Sequence, residues 1–263
     1  MDHMTFATSL RSWREKRGFS QLALASDAKI SQRHLSFLET GRSAPSRDMV
    51  LLLAETLDLS LRARNDLLHT AGFAHCYHDR SADDEDVAAT YQAVKDLIDA
   101  HAPYPALAMD RHWTIVHANA ALLGLVRDVP APMMAPPVNA LRLSLHPDGL
   151  GKHIANYREW RHHILTRLDA QNKAAPDAAT SSLIDELKSY PVPSGSRPWT
   201  TGASKTVNRV AIPLTLDIAG RKLSFISATT VLGTAMDIGL SELTLETFLP
   251  ANRETADYLH TTI

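Results

Sequence analysis

The sequence predicts two domains of different class, an all-α domain of five short helices followed by an α+β domain with an antiparallel sheet. Up to residue 73, apolar positions recur at helical spacing between turn residues. From residue 210 onward they alternate with a period of two, as in half-buried strands. The polar segment between the two patterns includes the acidic run 83–86. We therefore predict a first domain at 1–73, a linker at 74–85 and a second domain at 86–263.

Composition narrows the class of protein. With 44% hydrophobic and 21% charged residues, the 263-residue chain is neither disordered nor a coiled-coil rod. Its longest apolar runs, such as 120–126, are far below the roughly 18–20 residues that span a bilayer. Residues 1–9 have no basic region followed by an apolar core, so we expect them not to be a secretory signal. Cys76 is the single cysteine, so no internal disulfide forms. We expect a cytoplasmic protein with no membrane segment.

Basic residues concentrate near the start of the chain. Residues 1–47 contain eight Lys or Arg and four Asp or Glu, a local net charge of +4 in a chain whose total is −2. The remainder therefore carries −6. This asymmetry predicts an anionic partner for the first domain alone.

Each predicted helix of the first domain is bounded by capping or turn residues. Ser is a preferred N-cap because its hydroxyl accepts a hydrogen bond from a free backbone N–H of the first turn. Gly is preferred just after a helix because it adopts the left-handed conformation without strain. In chain order, the boundary residues are Gly18, Ser20, Ser31, Gly41, Ser46 and Gly72.

The second and third helices form a pattern typical of a helix-turn-helix. The small Ala25 and Ala28 allow the third helix to approach closely, and Ile30 plugs the turn between them. Leu35 and Leu38 face the core. The outer face of the third helix is then left to polar and aromatic residues, namely Gln32, Arg33, Ser36 and Phe37. Such a helix fits the major groove, where Gln reads adenine and Arg reads guanine.

This segment resembles the Xre/Cro family of helix-turn-helix domains, over about residues 6–72. The resemblance implies a buried ion pair between Arg14 and Glu39. Lys29 departs from the family, which usually has glycine at this turn position; either the lysine is left-handed, at a cost of about 1–2 kcal/mol, or the turn differs locally. Gln21 is placed to reach a phosphate at a helix N-terminus. The predicted DNA-binding residues are Gln21, Ser31, Gln32, Arg33, Ser36, Phe37 and Arg42.

The second domain begins with an amphipathic helix from Val87 to Ile98 and continues as a mixture of strands and helices. Strands are predicted at 107–110 and 113–118, a short helix at 119–126, a long helix at 154–168 and a shorter one at 183–187. Residues 195–203 are predicted as a loop. Three alternating strands follow, with Val210 to Leu216, Leu223 to Thr229 and Leu243 to Leu249 as their apolar faces.

Several strings of this domain resemble the MmyB-like ligand-binding domain, a PAS-like fold found behind Xre-type helices in bacterial regulators. They are HAPYPA (101–106), DRHWTIVHAN (110–119), LSLHPDGL (143–150), NYREW (156–160), IPL (212–214), LSFIS (223–227), GTAMD (233–237) and the segment 243–250, with 68–74 at the junction. The resemblance implies a transcription regulator whose PAS-like domain senses a small apolar, fatty-acid-like ligand.

Alternation nominates the residues that line the ligand-binding interior. These candidates are Leu107, Met109, Trp113, Ile115, Tyr157, Trp160, Ile212, Leu214, Phe225 and Ser227, each of which fits plain core packing as well. Asn119 and His146 are polar candidates for the ligand head group. Their alternative roles are a helix N-cap for Asn119 and a turn hydrogen bond for His146.

No recognised catalytic motif appears, so we predict no catalytic residues and not an enzyme. His75, Cys76 and His78 lie close together but in a polar linker, and the adjacent His162 and His163 point about 100° apart on a helix, so we predict no metal and no cofactor.

The sequence thus predicts a regulator that binds a double-stranded DNA operator. We expect a homodimer, because one helix-turn-helix reads too few base pairs for useful specificity. Two alternatives stay open: an enzyme with a DNA-targeting domain, and a constitutive repressor whose second domain only dimerises.

Overall fold

The computed structural model describes residues 5–196, 212–218 and 220–262. It divides into two compact units. The first contains Met1–Ser81 together with Gly233–Ser241, and the second contains Ala82–Leu232 and Glu242–Ile263. Val210 and residues 197–203 of the predicted loop lie outside the described part of the chain.

The first unit contains the five expected helices. They are α1 (Phe6–Lys16), α2 (Gln21–Asp27), α3 (Gln32–Glu39), α4 (Arg47–Thr56) and α5 (Leu61–Thr70). The predicted caps at Ser20, Ser31 and Ser46 are confirmed, because each hydroxyl accepts from the backbone N–H three residues on. Each cap satisfies one of the N–H groups that lack a partner within the helix.

Leucines at helical spacing build the core of the first unit. Leu10, Leu24, Leu35 and Leu38 are all fully buried and meet leucines of α4 and α5 in one cluster. Full burial of a leucine side chain contributes about 1.5–3 kcal/mol. The core therefore fixes α3 by its inner face and leaves the outer face to solvent.

The second unit combines a sheet with helices. Its helices are α6 (Glu85–Asp99), α7 (Ala120–Leu125), α8 (Ala140–Leu145), α9 (Tyr157–Ala174), α10 (Ala178–Ser189) and α12 (Arg253–Thr262), whereas the short α11 (Ile238–Ser241) lies in the first unit. Single 3-10 turns occur at Ala131–Met134 and Gly151–His153. None of the helices in the described ranges has both the length and the apolar character needed to cross a membrane.

Five strands form an antiparallel sheet in the order β2-β1-β5-β4-β3. They are β1 (Ala106–Met109), β2 (Ile115–Ala118), β3 (Leu214–Ile218), β4 (Arg221–Val231) and β5 (Thr244–Pro250). Strand β5 is central: Glu246 is paired with Leu107 of β1 on one side and with Thr229 of β4 on the other. The predicted α+β class with an antiparallel sheet is confirmed.

Two strands differ from the sequence-based expectation. The strand expected from residue 113 begins at Ile115, because Trp113 has a left-handed φ of +66° and the β1–β2 register shifts beside Met109. In β5, Leu249 was expected on the core face but is 40% exposed, whereas Glu246 is buried. Burial on both sides near Leu245 removes the alternation that identifies a half-buried strand.

The segment predicted as a linker is partly folded onto α5. The Asn65 side chain accepts from the backbone N–H groups of Cys76 and Tyr77 and donates to the Tyr77 carbonyl at 2.8 Å. Buried polar side chains that satisfy backbone groups in this way fix the path of an irregular segment. Residues 74–81 therefore belong structurally to the first unit.

The segment 233–241, which connects β4 to β5, also belongs to the first unit. Asp237 is buried, and its carboxylate accepts from the backbone N–H of Arg80 at 3.2 Å and from that of Leu240 at 3.2 Å. The Ile238 N–H donates to the His78 carbonyl at 2.8 Å. These bonds hold the segment against the chain that follows α5.

Candidate nucleic-acid interface and ligand pocket

The outer face of helix α3 is accessible to a binding partner. Gln32 and Arg33 are exposed, and Ser36 and Phe37 are half-buried. The opposite face is fixed by the fully buried Leu35 and Leu38. This helix has the chemistry for base recognition, because amide and guanidinium groups pair with base edges in the major groove.

The Arg33 side chain stacks on a neighbour on the same helix. Its guanidinium lies 5.3 Å from the centre of the Phe37 ring, one helical turn away. A cation over an aromatic face is stabilised by about 0.5–1 kcal/mol at an exposed site. The stack restricts Arg33 to one side of α3 before any partner is bound.

The expected pair of Arg14 and Glu39 is confirmed, and it is part of a larger hydrogen-bond network. Arg14 Nε and Nη2 donate to the two oxygens of Glu39 at 2.5 and 3.0 Å, and Arg14 Nη1 donates to the Phe19 carbonyl at 2.9 Å. The two side chains are only 10% and 2% exposed. The hydrogen bonds that Arg14 donates to the Glu39 carboxylate raise the pKa of Arg14. The pair therefore joins α1 to α3 and sets the position of α3.

Gln21 completes this network and differs from the simple expectation of a free phosphate-binding side chain. Its Nε2 donates to Glu39 Oε2 at 2.8 Å. An amide nitrogen carries two hydrogens, so one stays available for a phosphate. The network thereby couples the position of a predicted phosphate contact to the buried pair.

The remaining predicted DNA contacts occupy helix boundaries. The Ser31 hydroxyl caps α3 by accepting from the His34 N–H at 3.1 Å, and its own hydrogen is left to donate. Arg42 is exposed just after α3. In the turn between α2 and α3, where the resembled family usually has glycine, Lys29 has φ +55°. Of the two alternatives for this turn, the structure therefore has the left-handed lysine.

The second unit encloses an apolar pocket between the sheet and the helices α7, α8 and α9. The cavity itself has a volume of about 80 Å³, within a larger space of about 840 Å³ that includes open solvent. Among the described residues, its apolar lining consists of Pro105, Leu107, Met109, Trp113, Ile115, Leu122, Leu125, Val126, Ala140, Leu141, Leu143, Leu150, Trp160, Ile164, Leu214, Leu216, Phe225 and Phe248. The remaining lining residues given by the structure are Ser144, His163, Arg167 and Glu246.

The polar residues of the lining include an arginine beside a buried glutamate. Arg167 Nη1 lies 3.9 Å from Glu246 Oε1, and the side chains are 33% and 9% exposed. The Arg167 guanidinium also lies 4.8 Å from the centre of the Trp113 ring and donates to Thr229 Oγ1 at 3.3 Å. Burial raises the pKa of Glu246, against the opposing charge of Arg167 and a hydrogen bond from Ser227. An amphiphile with an apolar chain and a polar head matches this distribution.

Seven of the ligand-binding candidates come together in the lining: Leu107, Met109, Trp113, Ile115, Trp160, Leu214 and Phe225. The structure places the two polar candidates elsewhere. Asn119 is buried and accepts from the N–H groups of Ala106 and Leu122, so it caps α7. His146 Nδ1 accepts from the Asp148 N–H at 3.0 Å, which is the expected turn bond. The alternative roles of both residues are therefore the ones the structure has.

Three further candidates also lie outside the lining given for the pocket. Tyr157 is 1% exposed in the core and donates to the Leu145 carbonyl at 3.0 Å. Ile212 packs against the rim of the same core. Ser227 reaches the site indirectly, by its hydrogen bond to Glu246. These residues support the walls of the pocket.

Sequence reasoning missed the three titratable residues of the lining, His163, Arg167 and Glu246. A signal existed on α9, because His163 and Arg167 follow Trp160 by three and seven residues and so share its helix face. No comparable signal marked Glu246, which sits among apolar residues of a strand covered on both sides. Within the described ranges, no group of three or more His, Cys, Asp and Glu side chains is arranged to hold a metal ion.

A helix-turn-helix unit and an antiparallel sheet that encloses an apolar pocket together define a DNA-binding transcription regulator with a ligand-binding domain. Residues 10–63 match a family model described as helix-turn-helix. Residues 91–261 match one described as the MmyB-like transcription regulator ligand binding domain. The chain belongs to the MmyB-like transcription regulators. None of the curated proteins matches this chain.

Proposed function

We propose that this protein binds a double-stranded DNA operator as a homodimer and senses a fatty-acid-like amphiphile in the pocket of its second unit. The observation that carries the proposal is the apolar pocket with a charged group in its lining, in a chain whose other unit is a helix-turn-helix. Ligand occupancy changes DNA affinity only to the extent that the DNA-competent and incompetent states bind the ligand differently.

On the DNA side, Gln32, Arg33, Ser36 and Phe37 contact base edges. Gln21, Ser31 and Arg42 contact phosphates and set the orientation of α3. Support comes from the exposed outer face of α3 and from the buried network that fixes the helix. Two copies of the chain on adjacent half-sites supply the specificity that one helix lacks.

On the ligand side, the energetics favour an acyl chain. Each buried methylene contributes about 0.8 kcal/mol before entropic and desolvation losses. A chain of ~14 carbons offers more than the about 8 kcal/mol that corresponds to a micromolar Kd. A medium-length fatty acid is therefore a sufficient ligand for a pocket with this lining.

Thermal melting of delipidated protein with saturated fatty acids of increasing length tests the ligand. We expect a rise in Tm, because a ligand that binds only the folded state stabilises it by mass action. Ala140 lines the pocket, so Ala140→Phe fills it and reduces the shift. The matched control is Ala174→Phe, at the exposed end of α9, which leaves the shift intact.

Other outcomes identify the two remaining functions. Chemical conversion of the fatty acid in the mixture would indicate an enzyme with a DNA-targeting domain. No melting shift, in a protein that stays dimeric and binds DNA, would leave the second unit as the dimerisation module of a constitutive repressor. Selection of binding sites from random duplexes, followed by mass measurement of the complex, tests the operator and the homodimer.

A further inference from the structure

The two charged residues of the pocket, Arg167 and Glu246, form an ion pair without a hydrogen bond between them. Arg167 and Glu246 approach to 3.9 Å, which is within ion-pair range but beyond the distance of a hydrogen bond. The only hydrogen bond that the described residues give the Arg167 side chain goes to Thr229. Arg167 therefore has donors that a ligand head group can use, and Glu246 stands next to them.

The balance of charge at this site is close to neutral. Among the described residues that line the pocket, only His163, Arg167 and Glu246 have ionisable side chains. Burial, Arg167 and His162 lower the pKa of His163, which favours its neutral form. An ionised fatty acid that entered would therefore place a second carboxylate beside one arginine. Two carboxylates near each other do not both stay ionised at little cost, because each raises the pKa of the other.

We infer that the pocket binds a carboxylate head group with uptake of one proton by Glu246, so that the ligand replaces Glu246 as the counter-ion of Arg167. This rests on the proposed function and assigns a head-group site to it. The balance is simple: an ionised ligand and one proton from solvent enter, and the complex contains Arg167 as a cation, the ligand as an anion and Glu246 as a neutral acid. An uncharged head group needs no proton.

The groups packed against Glu246 act on it in opposite directions: Arg167 and Ser227 favour its ionised form, and burial outweighs them. On α9 the groups that face the pocket are Arg167 and the neutral-leaning His163, and on β4 the uncharged Ser227 donates a hydrogen bond to Glu246. On β1 the paired residue is the apolar Leu107. Burial already raises the pKa of Glu246 in the empty pocket. Protonation of Glu246 is therefore already favoured before a ligand carboxylate enters the pocket.

The test compares dodecanoate with dodecan-1-ol, both below their micelle concentrations, on delipidated full-length protein. The fluorescence of Trp113 and Trp160, which line the pocket, reports binding between pH 6 and pH 8.5. Dodecanoate is ionised throughout this range. We expect its Kd to rise by up to about tenfold per pH unit wherever free Glu246 is ionised, which is the slope for uptake of one proton. The Kd of dodecan-1-ol stays flat.

Variants test whether Glu246 is the residue that takes up the proton. Glu246→Gln, an isosteric change, is expected to flatten the dodecanoate profile and to tighten binding at pH 8.5. Arg167→Met is expected to weaken dodecanoate at least tenfold while dodecan-1-ol still binds. Glu254→Gln, at an exposed position of α12, is the control and follows the wild type. Calorimetry in buffers of different ionisation enthalpy counts the protons directly.

The outcomes separate this inference from the proposed function. If dodecanoate binds with no proton uptake, or if the uptake persists in Glu246→Gln and disappears in His163→Asn, the assignment to Glu246 is wrong while the fatty-acid sensor stands. If neither amphiphile binds, the proposed ligand class fails and the head-group site fails with it.

Discussion

Each of the two units places an arginine beside a buried glutamate, and the two pairs differ in almost every other respect. Arg14 and Glu39 form two hydrogen bonds within the first unit, with further contacts to Phe19 and Gln21. Arg167 and Glu246 stand 3.9 Å apart in the lining of a pocket. The same two residue types therefore form a fully hydrogen-bonded structural pair in the first unit and a pair without a direct hydrogen bond, in the lining of a pocket, in the second.

The difference teaches how to interpret a buried charge. A buried carboxylate with all its hydrogen bonds satisfied within the protein contributes to positioning, and its loss strands the partner. A buried carboxylate whose arginine stays beyond hydrogen-bond distance leaves capacity for another molecule. Removing the glutamate should accordingly destabilise the first unit and spare or stabilise the second.

The largest expected effect comes from Glu39→Ala. Arg14 then remains buried with only the exposed Glu15, 3.5 Å away, as a counter-ion. We therefore expect a loss of about 3 kcal/mol in the free energy of unfolding, at the low end for breaking a buried pair. Urea denaturation followed by the helical signal measures it. Because the pair is coupled, the double variant with Arg14→Ala should lose less than the two single variants together, by about 0.5–3 kcal/mol. Additive losses would show that the pair does not act as a unit.

A second prediction contrasts Arg14 with an arginine of the same unit that faces outward. Arg33→Ala leaves the core untouched and removes only the stack on Phe37, so stability should fall by no more than about 1 kcal/mol. Binding to the DNA site selected by the wild-type protein should weaken by about 1–3 kcal/mol, with relaxed specificity at one position. Titration of fluorescent duplexes at fixed salt measures both. Wild-type affinity for that site would remove Arg33 from the recognition surface.

The pair of Arg167 and Glu246 leads to a third prediction, on stability against pH in the absence of ligand. The pKa of Glu246 is raised in the folded state, so the folded protein binds more protons than the unfolded chain and its stability falls as pH rises above the unfolded value near 4.3. Glu246→Gln removes this loss. Its free energy of unfolding should exceed that of the wild type at pH 8, with the gap closing toward pH 4. A gap that widens toward acid pH would have the wrong sign.

The smallest effect concerns Arg42, which is exposed and for which we propose a phosphate contact. Arg42→Ala should weaken binding to all DNA sequences about equally and reduce the magnitude of the salt slope by about one. Mobility shifts at several salt concentrations, with the selected site and an unrelated duplex, measure this. A loss restricted to the selected site would instead make Arg42 a base-reading residue.

The first unit was largely predictable because its signals are local. The caps at Ser20, Ser31 and Ser46 act over three residues, and the helix-turn-helix spacing then places Leu35 and Leu38 in the core. The conformation of Lys29 was left open by the sequence, since only the backbone distinguishes a left-handed lysine from a different turn. The structure has the left-handed form.

The fold class of the second unit could be predicted from the sequence, but its pocket could be predicted only in part. The sequence pattern located the strands and seven lining residues, but alternation failed in β5, where the successive residues Leu245 and Glu246 are both buried and Leu249 is exposed. Arg167 and Glu246 lie 79 positions apart in the chain, so only the sheet order and the packing of α9 bring them together. The polar candidates Asn119 and His146 proved to bind backbone groups instead.

Mass spectrometry tests the central claim most directly, namely that the pocket holds an intact amphiphile. The purified protein is equilibrated with a mixture of fatty acids, separated from free lipid and then denatured. We predict release of one unmodified fatty acid per chain from the wild type and from Ala174→Phe, and little or none from Ala140→Phe. Equal release from both variants, or none from the wild type, would contradict the account.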